Sequence, residues 1–211
     1  MSRGERVIGG PSCVAEGAAW LTSREPRFAA VLERTGPWPT RLRPPGFAGL
    51  AAVIVGQQVS TASAAAISGR MAAAGLTTPQ AVAAADDSAL RACGLSRPKM
   101  RYLRALAEAD LDHAALARAP SDAARAALTA VPGIGVWTAE VYLLTCLGRA
   151  DAFPAGDLAL QEAARALFDH DVRPGAGVLA RMAEPWRPWR AIAARGLWAY
   201  YRVVKGREGL S

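Results

Sequence analysis

The sequence has few of the residues that build disulfides and metal clusters. Its 211 residues include three cysteines and two histidines. Cys13, Cys93 and Cys146 are odd in number and widely separated, so they can form neither a disulfide framework nor a four-cysteine cluster. His113 and His170 are not paired at a metal-ligand spacing, and lone histidines are usually surface or packing residues. We therefore expect no metal cluster and no disulfide scaffold.

An apolar run of membrane-spanning length is also missing. The apolar stretches near Ala51 and Val141 are interrupted by Gly, Gln, Glu or Thr, and no charged segment followed by an apolar run opens the sequence. With 52% hydrophobic residues the chain can nevertheless bury a sizeable core. We expect a globular cytoplasmic protein without membrane contact.

Lysine is scarce although the chain is basic. Arginine supplies 23 of the 25 basic residues, against 18 acidic ones, and the net charge is +7. The planar guanidinium fork suits phosphate oxygens, so this balance favours a polyanionic partner. Genome base composition or solvated helix faces would also account for the arginines.

Alanine-rich amphipathic blocks predict an all-α fold. Short breaks with Pro, Gly or Asp separate them, and strand-like alternation is missing beyond the first residues. Residues 36–46 are predicted to be a surface loop, and residues 1–17 and 206–211 to be loose ends. The predicted helical blocks are 27–33, 49–74, 79–85, 87–93, 99–109, 112–117, 121–130, 136–147, 157–168, 175–183 and 189–204.

A Pro-Gly-X-Gly turn separates two of these helical blocks. Pro132 ends the helix predicted over 121–130, and Gly133 and Gly135 allow a tight turn before a second helix begins near Val136. Backbone N–H groups at such a helix start can hold a phosphate oxygen. A plain connector between antiparallel helices has the same spacing.

A lone carboxylate, Asp157, follows about twenty residues later. It stands between the sequence PAG and the predicted helix LALQEAARALF, which is typical of an N-cap residue. A helix start stabilises negative charge. A carboxylate held beside a sugar can stabilise positive charge developing at C1′, or accept a proton from an attacking water. Capping and catalysis are compatible roles.

Two tryptophans and two glutamines are further candidates. Trp137 and Trp198 can be core packing residues, or flat walls on which a base expelled from a duplex stacks. Gln57 and Gln58 interrupt an apolar helical run. They can be a cap or satisfied buried amides, or a turn can present Gln58 to fill the gap left by a flipped base.

Taken together, the sequence resembles the helix-hairpin-helix (HhH-GPD) DNA glycosylase superfamily, most closely its DNA-3-methyladenine glycosylase II branch. Four segments carry the resemblance in the family's order: GFAGLAAVIVGQQVSTASAAAI, GLSRPKMRYLRALA, VPGIGVWTAEVYLLTCLGRADAFPAGDLALQ and EPWRPWRAIAARGLWAY. The resemblance implies two helical lobes with a lesion pocket between them, formed by residues 24–205. Residues 1–23 would be a partly loose N-terminal segment and 206–211 a tail.

The resemblance also implies site residues and partners. Asp157 would be the catalytic residue, and double-stranded DNA containing alkylated bases the substrate of a nucleoid-associated monomer. In relatives a monovalent cation often lies under the hairpin, which here would place Na⁺ or K⁺ on the carbonyl oxygens of Thr129, Val131 and Ile134. The implied pocket residues are Trp137, Trp198, Val141 and Ala159, and the implied DNA-binding residues are Gln57, Gln58, Pro132, Gly133, Ile134, Gly135, Val136, Thr138 and Lys99.

Departures from related branches refine this expectation. Bifunctional relatives carry a nucleophilic lysine where this chain has Trp137, so we expect a hydrolase that leaves an abasic site without lyase activity. The iron–sulfur cluster of other branches would lack its four cysteines here, and no extra N-terminal domain is expected. Val141 and Ala159 replace a larger Tyr and Leu of a relative, which favours a roomier pocket and a broader range of alkylated bases.

Three other functions account for part of the pattern. A DNA-binding module without catalysis would keep the hairpin, and a glycosylase for another base would keep both hairpin and carboxylate. A helical interaction protein leaves the combination of hairpin, carboxylate and tryptophans unexplained. The chemistry of Asp157 separates a glycosylase from the DNA-binding module, and activity on uracil or oxidised purines without release of methylated purines would reveal the other specificity.

Overall fold

A computed structural model describes residues 5–208, which form thirteen α-helices and one short 3-10 helix. Apart from an isolated antiparallel bridge between Val7 and Arg149, this part of the chain has no β-structure, so the all-α prediction is confirmed. None of these helices is both long and apolar enough to cross a bilayer. The helices are α1 (Pro11–Arg24), α2 (Arg27–Thr35), α3 (Phe47–Val55), α4 (Thr61–Ala73), α5 (Pro79–Ala84), α6 (Asp87–Ala92), α7 (Arg97–Glu108), α8 (His113–Arg118), α9 (Ser121–Thr129), α10 (Val136–Thr145), α11 (Leu158–Leu167), α12 (Ala176–Met182) and α13 (Arg190–Glu208), with the 3-10 helix at Glu184–Trp186.

The helices divide into two compact units. Unit 1 consists of the described parts of Met1–Leu42 and Gly148–Ser211, and unit 2 is Arg43–Leu147. Unit 1 therefore contains α1, α2 and α11 to α13, whereas unit 2 contains α3 to α10. The first unit is assembled from two distant chain segments, and the second is continuous.

Helix α3 forms the centre of unit 2 because its sequence, FAGLAAVIV, is apolar on every face. Leu50 and Ile54 are fully buried, and the helix packs against α7 and α10. At Gly49 the backbone passes so close to Pro44 that a Cβ would lie 2.4 Å from the Pro44 carbonyl oxygen. This close approach fixes the first turn of α3 against the loop that precedes it.

Helix α13 has the corresponding place in unit 1, where it packs against α1, α2 and α11. Gly196 allows the ring of Trp38 to approach, since a Cβ there would lie 2.8 Å from the indole. The Arg195 guanidinium is 1% exposed and donates to the carbonyl oxygens of Thr40 and Ala191, both at 2.9 Å. Burial lowers the pKa of Arg195 to about 10. These contacts fix the helix that carries Trp198.

The structure corrects three expectations about the helices and confirms the loop at 36–46. The single helix predicted over 49–74 is wrong, because α3 ends at Val55 and α4 begins at Thr61, capped by the Ser60 hydroxyl. Residues 11–17 are not loose but begin α1, in which Val14 and Gly17 are buried. Helix α13 continues to Glu208, so residues 206–208 are helical, while residues 1–4 and 209–211 lie outside the described part.

Candidate active site and nucleic-acid interface

Asp157 caps α11, as its sequence position predicts. Its Oδ1 accepts hydrogen bonds from the backbone N–H groups of Ala159 (3.0 Å) and Leu160 (3.1 Å). The indole Nε1–H of Trp198, on α13, donates to the same oxygen at 3.2 Å. Three N–H donors therefore fix one oxygen of a half-buried carboxylate.

The loop that leads to Asp157 is held as well. The Asp157 N–H donates to the Pro154 carbonyl oxygen at 2.8 Å, which closes a turn. The side-chain amide of Gln161, 6% exposed, donates to the Ala155 carbonyl oxygen at 2.9 Å. Sequence reasoning missed Gln161, although a buried polar residue one turn after the cap of an apolar helix face was a usable signal.

This geometry places negative charge where a helix stabilises it. The N-terminal end of α11 carries partial positive charge, and its first N–H groups point at Asp157. A carboxylate that several donors hold changes its position little during a reaction. A negative charge fixed in this way can stabilise a developing cation electrostatically. Asp157 can therefore act on a sugar cation or on an attacking water.

The four expected pocket residues are divided between the two units. Trp198 and Ala159 belong to unit 1 together with the catalytic candidate Asp157, whose carboxylate accepts from the Ala159 N–H. Trp137 and Val141 belong to unit 2 and follow one another by one turn of α10, so they share a face. All of these side chains are half-buried.

The hairpin joins α9 to α10 as predicted. Gly133 has φ 88, and a Cβ there would lie 2.2 Å from Cγ of Tyr102, which packs against the turn from α7. The Ile134 N–H donates to the Val131 carbonyl oxygen at 3.0 Å. Tyr102 was missed by sequence reasoning because its contact joins positions far apart in the chain.

The first turn of α10 is the candidate phosphate site. Gly135 is the N-cap, and a Cβ there would meet nothing within 4 Å. The first helical bond runs from the Ala139 N–H to the Gly135 carbonyl, so the N–H groups before Ala139 precede the helical hydrogen-bond pattern. Pro132, Gly135 and Val136 are exposed, whereas Ile134 is buried. An exposed helix start of this kind suits a phosphate oxygen.

A partly buried ion pair joins the two helices of the hairpin. The Arg125 guanidinium of α9 binds the carboxylates of Glu140 on α10 and Asp122 on α9. Glu140 is 6% exposed, so its charge is shielded from water and depends on this arginine. The pair fixes the start of α10 relative to α9.

Gln57 and Gln58 follow α3 in a turn and differ in their surroundings. The Gln57 side-chain amide donates to the Gly133 carbonyl oxygen at 3.0 Å and to the Thr138 hydroxyl oxygen at 2.9 Å. Gln58 is exposed, with φ 56 in the left-handed region. The structure therefore gives Gln57 a contact with the hairpin and leaves Gln58 as the residue that the turn presents.

Lys99 does not fit its expected role in DNA binding. Its ammonium group is 9% exposed and donates to the Val55 carbonyl oxygen at 2.7 Å, at the end of α3. Burial lowers the pKa of Lys99 below its ordinary value. The prediction is wrong because charge alone does not indicate whether a lysine has an internal acceptor. Thr138 is likewise 2% exposed, so only its backbone N–H remains for a phosphate.

The carbonyl oxygens of Thr129, Val131 and Ile134 suit a monovalent cation chemically. Thr129 is the last residue of α9, where carbonyls lie beyond the helical hydrogen bonds and carry the negative end of the dipole. Val131 retains a second lone pair beside its bond to the Ile134 N–H. Over residues 5–208, no three His, Cys, Asp or Glu side chains cluster to hold a metal.

Comparison with known proteins identifies the family. The model of the HhH-GPD superfamily of base excision DNA repair proteins matches residues 51–188. Alkylbase DNA glycosidase-like protein mag2 of Schizosaccharomyces pombe is 25% identical over 190 residues, 84% of this chain and 89% of that protein. The probable bifunctional transcriptional activator/DNA repair enzyme AlkA of Mycobacterium tuberculosis is 35% identical over 167 residues, 69% of this chain but 31% of that protein.

A solved structure agrees with these relatives. The 3-methyladenine DNA glycosylase Mag1 of S. pombe, in complex with abasic DNA, superposes with a TM-score of 0.79 and 25% identity. The match covers 90% of this chain and 97% of that one. The resemblance in sequence and the predicted fold class are confirmed. The chain belongs to the HhH-GPD superfamily of base excision DNA repair proteins.

Proposed function

We propose that this protein is a monofunctional DNA glycosylase that removes alkylated bases, such as 3-methyladenine and 7-methylguanine, from duplex DNA. The observation that carries the proposal is the anchoring of Asp157 Oδ1 by two helix N–H groups and the Trp198 indole. Relatives named as DNA-3-methyladenine glycosylases support the reaction type. The product is an abasic site, the substrate for later steps of base excision repair.

The proposed reaction is a hydrolysis at C1′ of the damaged nucleotide. The N-glycosidic bond breaks, its electron pair leaves with the base, and water supplies the hydroxyl that replaces the base. Asp157 either stabilises the positive charge that develops on the sugar, in which case the proton of the attacking water passes to solvent, or accepts that proton itself. An alkylated ring that carries positive charge can stack on Trp137 or Trp198 before cleavage. It then leaves as a neutral base.

The hairpin provides the contacts with the DNA backbone. The helix start at Gly135 and Val136 binds one phosphate, and the exposed Gln58 enters the duplex where the damaged base has left. A Na⁺ or K⁺ ion on the carbonyls of Thr129, Val131 and Ile134 would add positive charge beside the phosphate. Binding a phosphate in this way is independent of base sequence, as lesion search requires.

The absence of lyase activity rests on the lysines of the chain. A Schiff base with the sugar requires a free amine, and the lysine side chains that could supply one are those of Lys99 and Lys205. The Lys99 ammonium is bound to the Val55 carbonyl, and that of Lys205 lies 5.9 Å from the centre of the Tyr201 ring. We expect abasic sites to accumulate without strand nicking unless base or heat is added. Spontaneous nicking by the wild-type protein would contradict the monofunctional assignment.

The range of lesions follows from two small side chains. Val141 and Ala159, both half-buried, offer less bulk than the larger residues of a relative. We propose that alkylated bases with blocked pairing edges are accepted beside N3- and N7-alkylated purines. Excision rates on a set of defined lesions test this, and strict confinement to 3-methyladenine would contradict it.

The central experiment compares wild type with Asp157→Asn on methylated duplex DNA. Asparagine still caps a helix but carries no charge, so we expect base release to fall about 100-fold or more while duplex affinity is unchanged. Released bases and abasic sites are measured together. The matched control is Asp112→Asn, since Asp112 caps α8 by accepting the Ala115 N–H at 2.8 Å.

Each outcome selects one function. Loss of release in Asp157→Asn alone supports the proposal. Unchanged release in Asp157→Asn would remove the carboxylate from catalysis. Wild-type binding without any base release would indicate a DNA-binding module, and release of uracil or oxidised purines only would indicate another specificity.

A further inference from the structure

The Gln57 side chain joins two elements that the proposed function assigns to different tasks. One element is the turn that presents Gln58, and the other is the hairpin that holds a phosphate. The Gln57 amide nitrogen has two hydrogens, and its two acceptors are the Gly133 carbonyl and the Thr138 hydroxyl, at 3.0 and 2.9 Å. Both donor positions are filled inside the protein, so Gln57 donates nothing to DNA.

The turn is fixed from its other side by Lys99. The buried Lys99 ammonium donates to the Val55 carbonyl oxygen at the last residue of α3. The backbone N–H of Gln57 donates to the Ile54 carbonyl oxygen at 3.1 Å. Val55 is thus held at its carbonyl oxygen, and Gln57 is held at both its backbone N–H and its side chain.

Gln58 has the backbone conformation that needs such support. Its φ of 56 lies in the left-handed region, which residues other than glycine, asparagine and aspartate rarely adopt. A residue stays there when the surrounding structure determines its position. The exposed Gln58 side chain does not itself hold the backbone in this conformation. The neighbouring residue Gln57 has the contacts that can do so.

The hairpin is fixed at the same glycine that Gln57 contacts. The ring of Tyr102 lies against Gly133 on one side, and the Gln57 amide binds its carbonyl oxygen. Thr138, the second acceptor, lies in the first turn of α10 and is buried. A single amide therefore connects the turn before Gln58 with both the hairpin and the start of the phosphate-binding helix.

We propose that Gln57 is a positioning residue that holds Gln58 at a set distance from the phosphate site. This inference rests on the proposed function, because Gln58 and the hairpin matter together only if the protein opens a duplex. A bound phosphate then fixes where Gln58 enters the base stack. Without Gln57 the hairpin still binds a phosphate, but Gln58 no longer contributes to binding the opened duplex.

A double-mutant cycle tests the proposal. Gln57→Met keeps the length of the side chain and removes both donors, and Gln58→Ala removes the exposed side chain. In the wild-type background we expect Gln58→Ala to weaken binding to a duplex containing an abasic site by about tenfold. In the Gln57→Met background the same change should cost less than about twofold. Base release from methylated duplex is measured in parallel.

Controls separate positioning from general structure. Gln80→Met makes the same substitution at an exposed position of α5 in the same unit, and its cycle with Gln58→Ala should be additive. Thermal unfolding shows whether Gln57→Met is folded. Thr138→Val removes one acceptor from the hairpin side, and should reduce the effect of Gln58→Ala in the same direction.

Additive losses in Gln57→Met and Gln58→Ala would overturn the proposal, because a merely structural role lowers stability without changing the contribution of Gln58. The affinity cycle does not depend on catalysis. A wild-type protein that binds with coupled losses but releases no base would disprove the proposed reaction and leave the positioning role intact. A protein that releases alkylated bases with additive losses would do the reverse.

Discussion

The two units fix their functional groups in opposite ways. In unit 1 the proposed catalytic group is a side chain, the Asp157 carboxylate, and backbone N–H groups hold it. In unit 2 the proposed phosphate-binding groups are backbone N–H groups of the hairpin, and the side chains of Gln57 and Tyr102 hold that backbone. Substitutions at Asp157 and its donors should therefore change chemistry, and substitutions at the hairpin and the side chains that support it should change DNA binding and stability.

Gly133→Ala should have the largest effect, and it acts on the backbone of unit 2. The new Cβ would overlap Cβ and Cγ of Tyr102, which cannot move without moving α7, and φ 88 is unfavourable for alanine. We expect a loss of about 3 kcal/mol in the free energy of unfolding, with weaker duplex binding. Denaturant unfolding and binding titrations measure both.

Gly75→Ala is the matched control for this substitution. Gly75 also has positive φ, 72, but a Cβ there would meet nothing within 4 Å. Gly75→Ala should lower the free energy of unfolding by about 1 kcal/mol, the cost of backbone strain alone. Equal losses in the two variants would show that the contact with Tyr102 contributes nothing.

Trp198→Phe should have the next largest effect and act on chemistry alone. Phenylalanine keeps an aromatic face but cannot donate to Asp157 Oδ1. A hydrogen bond to a charged group contributes about 1.5–3 kcal/mol, so we expect base release to slow by about tenfold or more. Duplex affinity should stay the same, and Trp20→Phe on α1 serves as the control. A parallel loss of affinity would argue against the division of roles between the units.

The smallest expected effect concerns pH and unit 2. Burial lowers the pKa of His113, against the opposing charge of Asp112, and His113 Nδ1 is buried without a hydrogen-bond partner. Because the unfolded chain binds a proton more readily than the folded one, stability should fall as pH drops below the ordinary pKa of 6.5. His113→Gln should reduce this fall between pH about 7.5 and about 5.5, measured by denaturant unfolding. His170→Gln is the control, and an equal reduction there would contradict the assignment.

The sequence predicts local features of both units well. The cap at Asp157, the hairpin at Pro132 and the loop at 36–46 each depend on residues that are neighbours in the chain. The break after Val55 was missed because GQQVS does not contain proline, and a lone glycine is tolerated within a helix. The left-handed Gln58 has no sequence signal of its own.

Contacts between distant residues account for the other errors. The Lys99 ammonium donates to the Val55 carbonyl oxygen, 44 residues earlier in the chain. The Gln57 amide donates to the Gly133 carbonyl oxygen, 76 residues later. Charge predicts a solvent-exposed lysine, and only the packing of α7 against α3 shows that the ammonium is buried.

Helix α1 is a local feature that the sequence analysis does not predict, although Pro11 occupies a first-turn position that favours a helix start.

The division of unit 1 between two chain segments has a consequence for synthesis. All of unit 2 has been translated by Leu147, so the hairpin can fold while the remainder is still being made. Asp157 follows soon afterwards, but its indole donor lies 41 residues further on, within the helix that completes unit 1. A nascent chain can thus fold the hairpin before the Asp157 carboxylate receives its indole donor, and on the proposed function the order of translation delays chemistry until the last helix is in place.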